Sequence, residues 1–196
     1  MNIKDLIDSY IDDVRKNDYS TAAKISWCSD VDCEVRDKIM QQYVPATISI
    51  VADTAAYDLP DGVSFDSIEV VYQNGVEIPK LDARTYQKNG YFLNTSGQIE
   101  LYPTPTAALT DGLRIIYQSS HTRYTTDDYD NNVTLLIPDQ YATIYSEYIF
   151  SKMNYLDKQY EDYNNDVLVY NASMENFATW YNQKNPQSGR KIKNVW

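Results

Sequence analysis

The chain is poor in the residues that usually carry chemistry. It has one histidine, His121, and two cysteines, Cys28 and Cys33, among 196 residues. A structural zinc site needs about four ligands, and one C-x4-C pair with a distant histidine does not supply them. Basic residues are also scarce. There are 17 Lys and Arg against 28 Asp and Glu, a net charge of −11. That balance argues against gripping a nucleic-acid backbone by broad neutralisation of its phosphates, and it leaves room for an acidic surface that repels DNA. No apolar run approaches the ~20 residues of a membrane span. Met1-Asn2-Ile3-Lys4-Asp5 has no apolar signal core. A soluble chain made in a cytoplasm, with reduced thiols, is expected.

Catalytic signatures are missing as well. There is no G-x-S-x-G and no phosphate-binding glycine loop. His121 stands in a polar stretch and reads as a surface residue. Acids such as Asp58 and Asp61 could be nominated as a pair. A glycosidase, however, needs two carboxylates at a set separation across a cleft, which spacing in sequence does not show. Asp127-Asp128-Tyr129-Asp130-Asn131-Asn132 lacks the glycine and terminal glutamate of a calcium loop, so it reads as a solvated loop. No catalytic, cofactor or metal residue is assigned, and no enzyme is expected.

What the chain has is tyrosine: 19, beside four Phe and three Trp. Tyrosine joins apolar area to a hydroxyl that wants a partner, which suits partly wet interfaces as well as an ordinary core. The N-terminal segment from Asn2 to Asn17 reads as an amphipathic helix, with Ile3, Leu6, Ile7, Tyr10, Ile11 and Val14 on one face. Ser29 or Asp30 can cap the next helix, whose stripe is Val31, Val35 and Ile39 and whose end is Pro45. About six short strands follow, in a meander or small sandwich. They include Thr47 to Asp53, Phe65 to Tyr72, Val76 to Ile78, Ile99 to Tyr102 and Leu113 to Tyr117. Asn74-Gly75 is a two-residue hairpin signal, and Pro79 confines its strand to an edge. Thr110-Asp111-Gly112 reads as a turn.

Pro138 opens a helix at a favoured position, with a break near Asn154 to Asp157. A second long helix runs to Lys184. On it Tyr160, Tyr163, Val167, Tyr170, Met174, Phe177 and Tyr181 recur at steps of three and four, a heptad seam. The seam serves either packing on the chain's own helices or contact with another copy. After Asn185 the character changes. Arg190, Lys191 and Lys193 are basic with no acid among them, and Ile192, Val195 and Trp196 are apolar anchors. The segment reads as a frayed terminus or as an arm that orders on a partner.

The fold class expected is α+β. A helical core, 1–46 and 133–184, carries an inserted small antiparallel β domain, 47–118. An acidic loop, 119–132, and a C-terminal tail, 185–196, complete it. This order of parts resembles the head-to-tail connector adaptors of tailed bacteriophages, also called tail accessory factors or neck ring proteins. Tyr57-Asp58-Leu59-Pro60 and Leu101-Tyr102-Pro103-Thr104-Pro105 carry the resemblance. It implies a structural virion protein at the head–tail junction, assembled in the host cytoplasm. As implied, a twelve-subunit ring binds the portal protein through its C-terminal segment, Arg190, Lys191, Ile192, Lys193, Val195 and Trp196 here. The next tail or neck component attaches to its far side. Genome DNA passes through without specific binding, and no membrane or cofactor is involved. The alternatives are a carbohydrate-binding cell-surface β module and a cell-wall hydrolase.

Overall fold

The computed structural model describes residues 1–82 and 89–186. The architecture is α+β, with two compact units. One holds Met1–Met40 and the described residues from His121 onward, and the other is Gln41–Ser120. Each has its own apolar core.

In the helical unit, α1 opens as one α-helical turn, Ile3–Asp5, and continues with π-helical geometry over Leu6–Asp12. Asn2 caps it, its side chain accepting from the Asp5 amide. The wider π turn, closed by i→i+5 bonds such as Asp13 N to Asp8 O, lengthens the period. Steps of four then stay on one face. Ile3, Ile7 and Ile11 are buried, whereas Tyr10 (49 % exposed) and Val14 (67 %) have rotated off the apolar face expected for them. Helix α2, Thr21–Lys38, is one continuous helix capped by Ser20, whose hydroxyl accepts from Ala23 N. Ser29 and Asp30 are therefore mid-helix and not caps. The Ser29 hydroxyl instead donates to the Ile25 carbonyl.

The expected acidic loop contains a short helix, α3, Thr126–Asp130, nucleated by a reciprocal Thr125/Asp128 capping box. Capping satisfies amides that would otherwise favour an open loop. Pro138 precedes a 3₁₀ turn, Asp139–Tyr141, and α4 follows at Thr143–Leu156. Asp157–Gln159 joins it to α5, Tyr160–Lys184, with Lys158 in the left-handed region at φ 60°. Helices α4 and α5 pack against each other, and α2 packs on α4.

Among its described residues the other unit has seven strands in two antiparallel sheets: β1 (Tyr43–Ile50), β2 (Ala56–Asp58), β3 (Ile68–Gln73), β4 (Val76–Ile78), β5 (Gly90–Leu93), β6 (Gln98–Tyr102) and β7 (Leu109–Gln118). The sheet orders are β1-β7-β3-β4 and β2-β6-β5. A simple meander is thus excluded, because the last strand inserts between β1 and β3. Ile50, Val71, Leu113 and Ile115 of one sheet share a core with Tyr57, Tyr91, Ile99 and Leu101 of the other.

Pro45 lies inside β1, paired opposite Ile116, and does not end α2. Strand β1 is an edge, where a residue without an amide hydrogen is tolerated. Asn74 and Gly75 have φ of 50° and 76°, as a type I′ hairpin requires. Phe65–Ser67 forms a 3₁₀ turn before β3. Thr110-Asp111-Gly112 lies within β7, where the register against β1 slips and Asp111 adopts φ 51°. A bulge has replaced the expected turn. At Gly90 an added Cβ would meet the Pro79 carbonyl oxygen at 2.4 Å, so only glycine lets β5 start there.

The tyrosine of Tyr57-Asp58-Leu59-Pro60 has a structural role. Its hydroxyl donates to the Thr54 carbonyl at 2.7 Å and accepts from the Val51 amide at 3.2 Å. It ties down the turn between β1 and β2. Tyr57→Phe is expected to cost about 1–2 kcal/mol, read as a lower urea midpoint for the β unit by far-UV circular dichroism.

Candidate functional site

Among the described residues no group of three or more His, Cys, Asp or Glu is placed to hold a metal ion. No described helix is long and apolar enough to cross a membrane. Cys28 and Cys33 are free thiols, and burial pushes both upward from the usual thiol range.

The helical unit is organised on a buried carboxylate. Asp32 is fully buried and sits one turn beyond Cys28 on the apolar stripe of α2. The Tyr124 hydroxyl donates to it at 2.6 Å, the Leu136 amide at 3.2 Å, and the Tyr145 hydroxyl by a short bond. Tyr145 in turn accepts from Ile137 N. The Tyr124 amide donates to the Ser29 hydroxyl at 2.9 Å. One side chain thus fastens the segment after the β insertion to α2. Burial pushes the Asp32 carboxyl up, and the hydrogen bonds from Tyr124, Tyr145 and Leu136 N pull it part of the way back. Sequence reasoning missed this hub, although an aspartate on the stripe between Val31 and Val35 was its visible signal. His121 is half-buried, with its ring edge-on to Tyr124 at 5.0 Å, and is not the free surface residue expected.

Other tyrosines repeat the pattern. Tyr19 donates to Asp157 at 2.6 Å, Tyr129 to Asp8 at 2.6 Å and Tyr170 to Glu34 at 2.7 Å. In a chain with too few cations for its acids, tyrosine hydroxyls act as the missing donors. At Asp8 burial opposes ionisation, but the bonds from Lys4 and Tyr129 prevail and hold it below the usual carboxylate range.

The α4–α5 corner is bound by Arg15, whose guanidinium donates to Asn154 Oδ1 at 2.7 Å and pairs with Asp157 at 3.2 Å. Asn154 donates to Asp166 at 2.7 Å. Outside this polar lock lies an exposed aromatic cluster: Tyr155, with Leu156 beside it, has its ring 5.3 Å from Tyr163 and 6.2 Å from Tyr160.

The heptad seam divides along α5. Tyr170, Met174 and Phe177 are buried in the unit's own core, and Tyr181 packs against it half-buried. Val167 and Tyr163 are half-buried, and Tyr160 is exposed. Sequence reasoning passed over Leu168 and Val169, which face solvent at 68 % and 51 %.

In the β unit, Pro103, Pro105, Ala107, Ala108 and Leu109 line an open cleft of about 750 Å³ with Ile50, Asn74 and Val76. Pro103-Thr104-Pro105 of the conspicuous Tyr-Pro-Thr-Pro stretch form one wall of it. Asp58 accepts a hydrogen bond from Gln98 at 2.9 Å, and Asp61 is exposed. Arg190, Lys191, Ile192, Lys193, Val195 and Trp196 lie outside the described residues.

Two comparisons bear on this arrangement. A family model described as SU10 adaptor protein matches residues 1–190. No curated protein matches the chain.

Proposed function

Because the chain belongs to the SU10 adaptor protein family, we propose that it is a structural virion protein that forms a ring between the portal and the tail of a phage particle. The ring gives DNA a passage and the tail a platform. The observation that carries this reading is the family match across both units. The net charge of −11 supports it, since walls rich in carboxylates let phosphates slide where basic walls would retain them.

In this reading the tail is the portal contact. Arg190, Lys191 and Lys193 meet acidic portal surface, and Ile192, Val195 and Trp196 enter apolar clefts. Around a ring, each bound copy raises the effective concentration at the next contact. The experiment removes Gln187 to Trp196 and measures adaptor occupancy on purified DNA-filled heads. Occupancy is expected to fall at least about tenfold, because avidity multiplies the loss at each contact. Full occupancy by the shortened chain would overturn the docking role.

A further inference from the structure

The outward face of α5 has a composition that the helix does not need for its own packing. Tyr170, Met174 and Phe177 point to the core. At 100° per residue, Asn165, Leu168, Ala172, Asn176 and Thr179 fall on the opposite side, with Glu175 flanking them on one edge and Val169 on the other. All seven are exposed. A helix packed on one side only normally shows charge on the other. Here the exposed positions of α5 from Asn164 to Gln183 carry a single charge, Glu175. Exposed acids stand elsewhere on the same unit, at Asp5, Asp13, Asp18, Asp37, Asp127 and Asp139.

Charge depletion with exposed aliphatic side chains marks the centre of a protein contact, and the charge of the whole chain selects the partner. Two copies each carrying −11 repel one another wherever their acids meet. They can associate closely only where acids are sparse. A basic partner would gain little from a face whose one carboxylate is Glu175, and a nucleic acid would find no cations on it. Resting on the reading that the chain assembles from identical copies, we propose that the outward face of α5, centred on Leu168, Val169 and Ala172, is the surface that docks on a second copy of this chain. In a ring that contact is heterologous, so the face meets a different surface of its neighbour. Ala172 and Thr179, short and uncharged, let the neighbouring backbone approach.

The test places a photo-crosslinking phenylalanine analogue at position 172 of the full chain. Irradiation is done on the purified protein and on purified particles, and adducts are identified by mass spectrometry. Adducts between two copies are expected. In parallel, the double variant Leu168→Asp, Val169→Asp is expected to raise the concentration midpoint of self-association at least about 30-fold, since the contact would desolvate two carboxylates that have no partner there. Its unfolding midpoint should stay at the wild-type value, because both side chains are mostly in solvent. Adducts only to another protein, no adduct in either sample, or unchanged association of the double variant would each overturn the proposal. The two readings fail separately. Copy-to-copy adducts in a chain absent from the head–tail junction would sink the adaptor role and leave this surface standing. A chain present at the junction but crosslinked only to another protein would do the reverse.

Discussion

Asp32→Ala is expected to destabilise the helical unit by about 3–5 kcal/mol, the cost typical of stranding buried polar groups. The substitution removes the acceptor for the hydroxyls of Tyr124 and Tyr145 and for the Leu136 amide. Tyr145 has no solvent to turn to, and the segment from His121 to Ile137 loses its attachment to α2. Tryptophan fluorescence during urea unfolding measures this, because Trp27 and Trp180 belong to the helical unit and none of the three tryptophans lies in Gln41–Ser120. A pH series adds a second check. Burial holds the Asp32 carboxyl above the ordinary aspartate range, against the pull of its three donors. An acid with its folded-state pKa above its unfolded value supports the fold fully below the unfolded value. That support is lost as pH rises through the folded value. Wild type should therefore lose stability relative to Asp32→Asn as pH climbs from the ordinary aspartate range toward neutrality. A difference between the two that stays flat with pH would mean that Asp32 is ionised throughout.

Phe177→Ala should cost about 3–5 kcal/mol, the range for emptying a fully buried aromatic site. The ring is completely buried. It packs 5.3 Å from Tyr141, 6.0 Å from Trp180 and 6.2 Å from Tyr181, centroid to centroid. It clamps the last turns of α5 to the turn that precedes α4. The variant should show a lower urea midpoint and a red-shifted Trp180 emission. A loss under about 1 kcal/mol would show that neighbouring side chains refill the site and that this ring does not hold α5. The contrast with Leu168 and Val169, on the same helix, is instructive. Exposed substitutions away from special features usually stay within about 0.5 kcal/mol, so a change in assembly there can be separated from a change in folding.

Much of the architecture was legible in local pattern. The hairpin at Asn74-Gly75 followed from two residues that tolerate positive φ. Helix α5 followed from its recurring apolar steps. Where local reading failed, a tertiary term had intervened. The N-terminal helix widened into π geometry, which kept Ile3, Ile7 and Ile11 in the core at the expense of Tyr10 and Val14. Helix α2 ran straight through its supposed cap because Ser29 found a carbonyl and a distant amide to bond. Strand β1 absorbed Pro45 because β7 pairs with only one of its edges. The bulge at Asp111 exists because β7 must follow β1 past a register slip.

The sequence by itself determined the α+β order of parts, the acidic surplus and the abundance of tyrosine, since each is a property of composition or short-range spacing. Only the tertiary structure decided what the tyrosines are for. Tyr19, Tyr124, Tyr129, Tyr145 and Tyr170 each reach a carboxylate at least 92 positions away in the chain. A hydroxyl's partner depends on which segments folding brings together, and no window along the sequence contains both. The same holds for α5. Its periodicity shows that one face is apolar, but which face is covered, and that the uncovered one carries almost no charge, depends on what packs against it.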